Sequence, residues 1–96
     1  MYGTIFTLKI KPGHEELVGE LLKTGTKSTP KDMVAWFVMK PDQDHDWLGV
    51  AVFKTKEAHV NNANRPEQHA LFLEMMQHLE EEPQWTDGTY VIGEIA

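Results

Sequence analysis

The sequence contains no cysteine. Disulfides, thiolate-held zinc and a cysteine nucleophile are excluded together. The lack also fits a reducing, cytoplasmic setting, which is the location expected here. Serine occurs only at Ser28, outside any nucleophile-elbow pattern, so triad hydrolysis is a poor reading. Arginine occurs only at Arg65, which makes it the sole candidate for a bidentate anion clamp. The glycines are scattered and form no phosphate-cradling loop, so neither nucleotide hydrolysis nor a held flavin is expected. Positive charge is scarce: 9 Lys and Arg stand against 15 Asp and Glu, a formal net charge of -6. A nucleic-acid partner requires the opposite balance. No apolar run approaches the roughly 20 residues that cross a bilayer, so no membrane partner is expected. The opening MYGTIFTLKIKPG lacks a basic region ahead of its apolar stretch and alternates, so it reads as a strand and not as a secretion signal.

What is present is an ordinary globular balance, 41% hydrophobic and 25% charged over 96 residues. That excludes a disordered chain and predicts a single domain over 1–96. Tyr2 to Lys11 alternates as a strand, with Tyr2, Thr4, Phe6, Leu8 and Ile10 on one face. Pro12 and Gly13 end it. His14 to Lys23 carries the helical stripe Leu17, Val18, Leu21 and Leu22, with Glu15 and Glu16 in the first turn and Gly25 as a stop. A loop follows, from Thr24 to Asp32. Met33 to Lys40 and Trp47 to Lys54 are apolar strands joined by the acidic turn Pro41 to Asp46, an antiparallel hairpin. Thr55 is placed to N-cap a helix reaching about Asn64. Pro66 opens another, to about Leu79, whose stripe is Leu71, Phe72, Met75, Met76 and Leu79. The last strand lies within Gln84 to Ile95, weighted toward Thr89 to Ile95.

The hairpin is apolar on both faces. Met33, Ala35, Phe37 and Met39 alternate with Val34, Trp36 and Val38, and Leu48, Val50 and Val52 oppose Trp47, Ala51 and Phe53. A strand apolar on both faces is buried on both. This chain has helices enough for one side of a four-stranded sheet, so a second copy is expected on the other, as a homodimer.

The order β-α-β-β-α-α-β resembles the ferredoxin-like dimeric α+β barrel, and within it the antibiotic biosynthesis monooxygenase domain. The resemblance rests on the first strand running into KPGHEELVGELL (Lys11 to Leu22) and on FKTKEAHVNNANRPEQHALF (Phe53 to Phe72). In the latter a strand ending in an aromatic is followed by Thr, then Glu-Ala, and later by a Pro that opens the next helix. It implies an α+β fold: a four-stranded antiparallel sheet with its helices on one face, paired into a dimeric barrel. It further implies a cofactor-independent monooxygenase acting on a hydroxyaromatic or quinol. The alternatives are a non-catalytic ligand-binding or stress-associated protein of the same fold, and an isomerase of small lactones. The haem-degrading branch has an Asn on the first strand and a Trp on the second helix. Both are missing here and only His69 corresponds, so haem is not implied and no cofactor is expected.

The related monooxygenases line their pocket with an Asn and an aromatic on the second helix, and the resemblance carries the Asn to Asn62. His59 lies three residues earlier and shares its face. Arg65 and His69 are four apart and can point similarly. His59 or His69 is the expected proton acceptor, since imidazole titrates near neutrality, and Asn62 the group that orients the substrate oxygen. Trp36, Phe37, Arg65 and Phe72 are the expected substrate-binding residues, for a small aromatic molecule. No metal site is expected. His69 and His78 are nine residues apart and fall on opposite sides of one helix, and no His-x-x-x-His or Glu-x-x-His spacing occurs. Asp42 to Asp46 opens like a calcium loop, but Trp47 and Phe53 stand where Gly and the closing acid are needed. The run Glu80-Glu81-Glu82 opposes the dipole at its helix end and finds no role in this reading.

Overall fold

The computed structural model describes residues 1–25, 29–43 and 46–96. Ser28 and the Asp44–His45 part of the hairpin turn lie outside the described residues. The elements are β1 (Tyr2–Leu8), α1 (Glu15–Gly25), β2 (Met33–Met39), β3 (Trp47–Phe53), α2 (Lys56–Ala63), α3 (Pro66–Met76) and β4 (Gln84–Thr89). The four strands form one sheet in the order β2-β3-β1-β4, with every neighbouring pair antiparallel. This is the α+β, ferredoxin-like arrangement.

Alternation along β1 decides what each face carries. Thr4 and Leu8 are buried, and the Tyr2, Thr4, Phe6, Leu8 face receives all three helices. Val18 and Leu22 of α1 close with Leu8, Met75 and Leu79 into the buried core, and Trp36, Val38 and Trp47 pack against it. α2 touches both β1 and β3. The opposite face has no helix over it. There Ile5 is 47%, Phe37 68%, Met39 55% and Leu48 38% exposed. The hairpin is thus apolar on both sides, with one side covered inside the chain.

Several boundaries differ from the sequence expectation. β1 stops at Leu8, where its partner β3 begins at Trp47, and Ile10 instead bridges Leu79. α3 ends at Met76 and tightens into three-residue turns, His78 N to Met75 O and Leu79 N to Met76 O. The chain there is drawn to the extension of β1 by Lys11 N to His78 O and Glu80 N to Lys9 O. β4 occupies the first half of its segment: Gln84 pairs Thr7 and Thr89 pairs Tyr2. Past Thr89 only Tyr90 N bonds Met1 O, and Val91, Ile92 and Ile95 stand exposed outside the sheet. A shift between Met33 and Ala35 breaks the alternation on β2, setting Met33 opposite Phe53 and Ala35 opposite Val52. Leu17 lies off the buried stripe of α1, 53% exposed. Among the described residues no helix is long and apolar enough to cross a membrane.

Candidate functional site

α2 starts where Thr55 supplies its cap: the side-chain oxygen accepts from Ala58 N at 3.1 Å. That fixes the helix phase and turns His59 down onto the sheet. Beneath it lie Tyr2 and Phe53, a cross-strand pair. Their ring centroids are 5.6 and 5.4 Å from the imidazole, tilted by 51° and 56°. Lys56, one turn earlier, holds its ammonium 5.8 Å from the Tyr2 ring centroid, within cation–π reach.

β4 supplies the carboxylate. Asp87 pairs Thr4 in the register, on the helix-bearing face, and its Oδ1 lies 3.7 Å from His59 Nε2. This is an ion-pair distance, longer than a hydrogen bond. The other ring nitrogen, His59 Nδ1, is buried without a hydrogen-bond partner among the described residues. A buried polar atom left unpaired costs about 1–3 kcal/mol, so such atoms draw attention as places where a ligand completes the pairing. The imidazole thus has an acid behind one nitrogen and unspent capacity on the other, between two aromatic rings. Asp87 was absent from the sequence reading. Its signal is the β1–β4 register, which the spacing within one segment does not carry.

Asn62 follows His59 by one helical turn. Its Oδ1 accepts from Arg65 Nη1 at 3.1 Å, and Arg65 Nε lies 3.6 Å from Glu67 Oε2. Asn62 thus contacts Arg65, a pairing the spacing argument did not name, and Arg65, between the two helices, is held by one neighbour on each. His69 stands exposed on α3, away from His59. Phe72 lies 6.4 Å from Trp85, which lies 4.9 Å from Phe6, an aromatic row on the helix-bearing face. Trp85 was not singled out from the sequence, and it joins the row because it pairs Phe6 across strands. Trp36 packs on the core, while Phe37, its neighbour in sequence, points to the helix-free face. The two cannot line one pocket within a single chain. A hollow of ≈ 150 Å³ on the helix-free face, edged by Gly3, Ile5, Thr86, Gly88 and Tyr90, is too small for an aromatic substrate, given ligand clefts of about 300–1,000 Å³.

No protein-family model matches the chain, and no curated protein matches it in sequence. Solved structures do match over nearly its full length. A candidate antibiotic biosynthesis monooxygenase from Nitrosomonas europaea superposes with a TM-score of 0.85 at 12% identity, covering 96% of this chain and 100% of its own. One from Caulobacter crescentus gives 0.83 at 12% identity, covering 95% and 90%. One from Chloroflexus aurantiacus gives 0.72 at 19% identity, covering 96% of each. The chain has the fold of these proteins. At such identities the likeness is one of architecture.

Proposed function

We propose that the chain is a cofactor-independent monooxygenase of the antibiotic biosynthesis type, acting on a hydroxyaromatic or quinol as a homodimer. The observation that carries the reading is His59, with Asp87 at Nε2 and an unpaired, buried Nδ1 between Tyr2 and Phe53. Nδ1 takes the hydroxyl proton of the substrate, and the Asp87 carboxylate steadies the imidazolium that results. The electron-rich anion then reacts with oxygen. An anthrone-like substrate closes the balance without a reductant: one oxygen atom becomes its new carbonyl, and the second leaves as water with the two hydrogens the carbon loses. Asn62 and Arg65 form the polar end of the site, and Phe72, Trp85 and Phe6 its apolar wall.

The test is oxygen uptake with anthrone-like and quinol substrates and no added cofactor. His59→Ala should cost about 10²–10⁴ in rate, the range of general base catalysis, while His69→Ala leaves turnover near that of the unaltered chain. Full turnover in the folded His59→Ala variant ends the assignment of the base. A second reading, a non-catalytic ligand-binding protein, draws support from the Asn62 amide oxygen being already taken by Arg65. It wins if aromatic ligands raise the melting temperature and none is oxidised.

A further inference from the structure

Away from this site, the fold brings together two histidines that are 64 residues apart in the chain. Gly13, at φ 85, turns the chain into α1, and His14 stands directly before the helix, its carbonyl accepting from Val18 N at 3.0 Å. His78 sits in the turn after α3, held by Lys11 N to its carbonyl at 2.9 Å and by the flanking Lys11 Nζ to Gln77 O contact at 3.0 Å. The two Nδ1 atoms share a hydrogen bond at 3.0 Å, one ring donating and the other accepting according to tautomer, with ring centroids 5.3 Å apart and the rings tilted by 49°. Both rings are half-buried.

A divalent ion binds imidazole nitrogen at about 2.0–2.1 Å. Two such nitrogens stand about 2.9 Å apart at a right angle and about 3.3 Å apart at the tetrahedral angle, by elementary geometry on that bond length. Once the bonding proton shifts to Nε2 of its ring, both Nδ1 lone pairs are free to ligate, and the separation suits the right angle preferred by tetragonal Cu²⁺ and Ni²⁺, with Cu²⁺ heading the affinity order. The sequence flanking the two histidines is net acidic. Glu15 and Glu16 follow His14, and Glu80, Glu81 and Glu82 follow His78, against Lys9 and Lys11. Lys9 is itself paired with Glu80 at 3.8 Å. We propose that His14 and His78 form a binding site for a divalent late transition metal, Cu²⁺ foremost, with their Nδ1 atoms in adjacent coordination positions. Among the described residues no group of three or more His, Asp or Glu converges in this way, so water completes the coordination. The ion bridges the start of α1 and the end of α3, and because it binds the folded chain it stabilises that state by mass action.

The test uses the whole chain and Cu²⁺ alone. The expected result near pH 7 is one equivalent bound by about 0.1 mM ion, with a raised melting temperature and a paramagnetic resonance signature of two nitrogen ligands. Substoichiometric Cu²⁺ should broaden amide signals first at residues 9–15 and 76–82 of the unaltered protein. His14→Gln and His78→Gln should each weaken binding at least about tenfold, a loss of about 1.4 kcal/mol or more. The proposal is overturned if no equivalent binds in that range, if both variants bind as the unaltered chain does, or if broadening centres on the Met1 amine, His45, His59 or His69. Should a variant fail to fold, the broadening map of the unaltered chain decides by itself.

Discussion

Single side chains hold together parts of this molecule that are distant in sequence, and Tyr90 is the clearest case. Its hydroxyl donates to Ala51 O at 2.9 Å and Thr4 O at 3.2 Å. Gly3 makes this approach feasible, because a Cβ there would collide with the Ala51 carbonyl and crowd the Tyr90 ring. Burial holds the Tyr90 phenol above its ordinary value. The folded state therefore favours the neutral phenol. Its contribution is fully present below the unfolded value of about 10 and is lost as pH rises through the folded one. Tyr90→Phe should cost about 0.5–1.5 kcal/mol at neutral pH, the worth of one hydroxyl proton shared between two carbonyls, and should flatten the alkaline fall in stability. Urea midpoints between neutral and strongly alkaline pH check both; an unchanged midpoint removes the role. Residue-scale legibility was uneven for one physical reason. His59 and Asn62 lie one helical turn apart, which spacing shows, whereas the Asn62–Arg65 contact across a gap of three was not read from it. The His59–Asp87 and His14–His78 contacts join different elements, and no local period encodes them.

At the scale of elements, the strand pairings make specific demands on small residues. Phe6 pairs Gly49 across β1 and β3, and its ring lies over that glycine, where a Cβ would fall inside the ring. The ring is then free to pack on Trp85. Gly49→Ala should destabilise by about 1–3 kcal/mol, the usual cost of overpacking. In a Phe6→Leu background the same change should cost measurably less, because the two sites share one space. Denaturant unfolding of the four proteins checks the cycle, and strict additivity would refute the packing account. Element identity was well written in the sequence: alternation marked β1, two apolar runs joined by a short turn marked the β2-β3 hairpin, and the Thr55 cap and Pro66 marked the starts of α2 and α3. The failure at β4 is instructive. Val91, Ile92 and Ile95 have strand propensity, but a strand needs a partner, and the pairing with β1 covers only Gln84 to Thr89. The paired segment, QWTDGT, carries a Gly and an Asp and reads poorly as a strand. Pairing overrode propensity.

For the whole molecule, the consequence of three helices on one face is a bare second face. Phe37, Met39, Leu48 and Ile5 stand exposed on it, beside a C-terminal segment whose Val91, Ile92 and Ile95 are 90%, 92% and 77% exposed. Monomers rarely leave apolar side chains contiguous in this way, and a copy of the same sheet is the cover that two-fold symmetry supplies at no further sequence cost. The proposed homodimer places the two helix-free faces together, an interface of the order of 1,200–2,000 Å² if it is of standard size. Phe37 is the place to test it. At 68% exposure it contributes little to the single chain, so Phe37→Glu should leave the fold intact. Facing a second sheet, the same carboxylate would be desolvated without a partner, which costs far more than the lost apolar contact. The unaltered protein should scatter light at twice 11.0 kDa at about micromolar concentration, and Phe37→Glu at 11.0 kDa with its circular dichroism unchanged. Trp36→Glu, one residue away but turned into the core, should instead unfold the chain. A monomeric mass for the unaltered protein would end the dimer proposal, and a dimeric mass for folded Phe37→Glu would move the interface off this face.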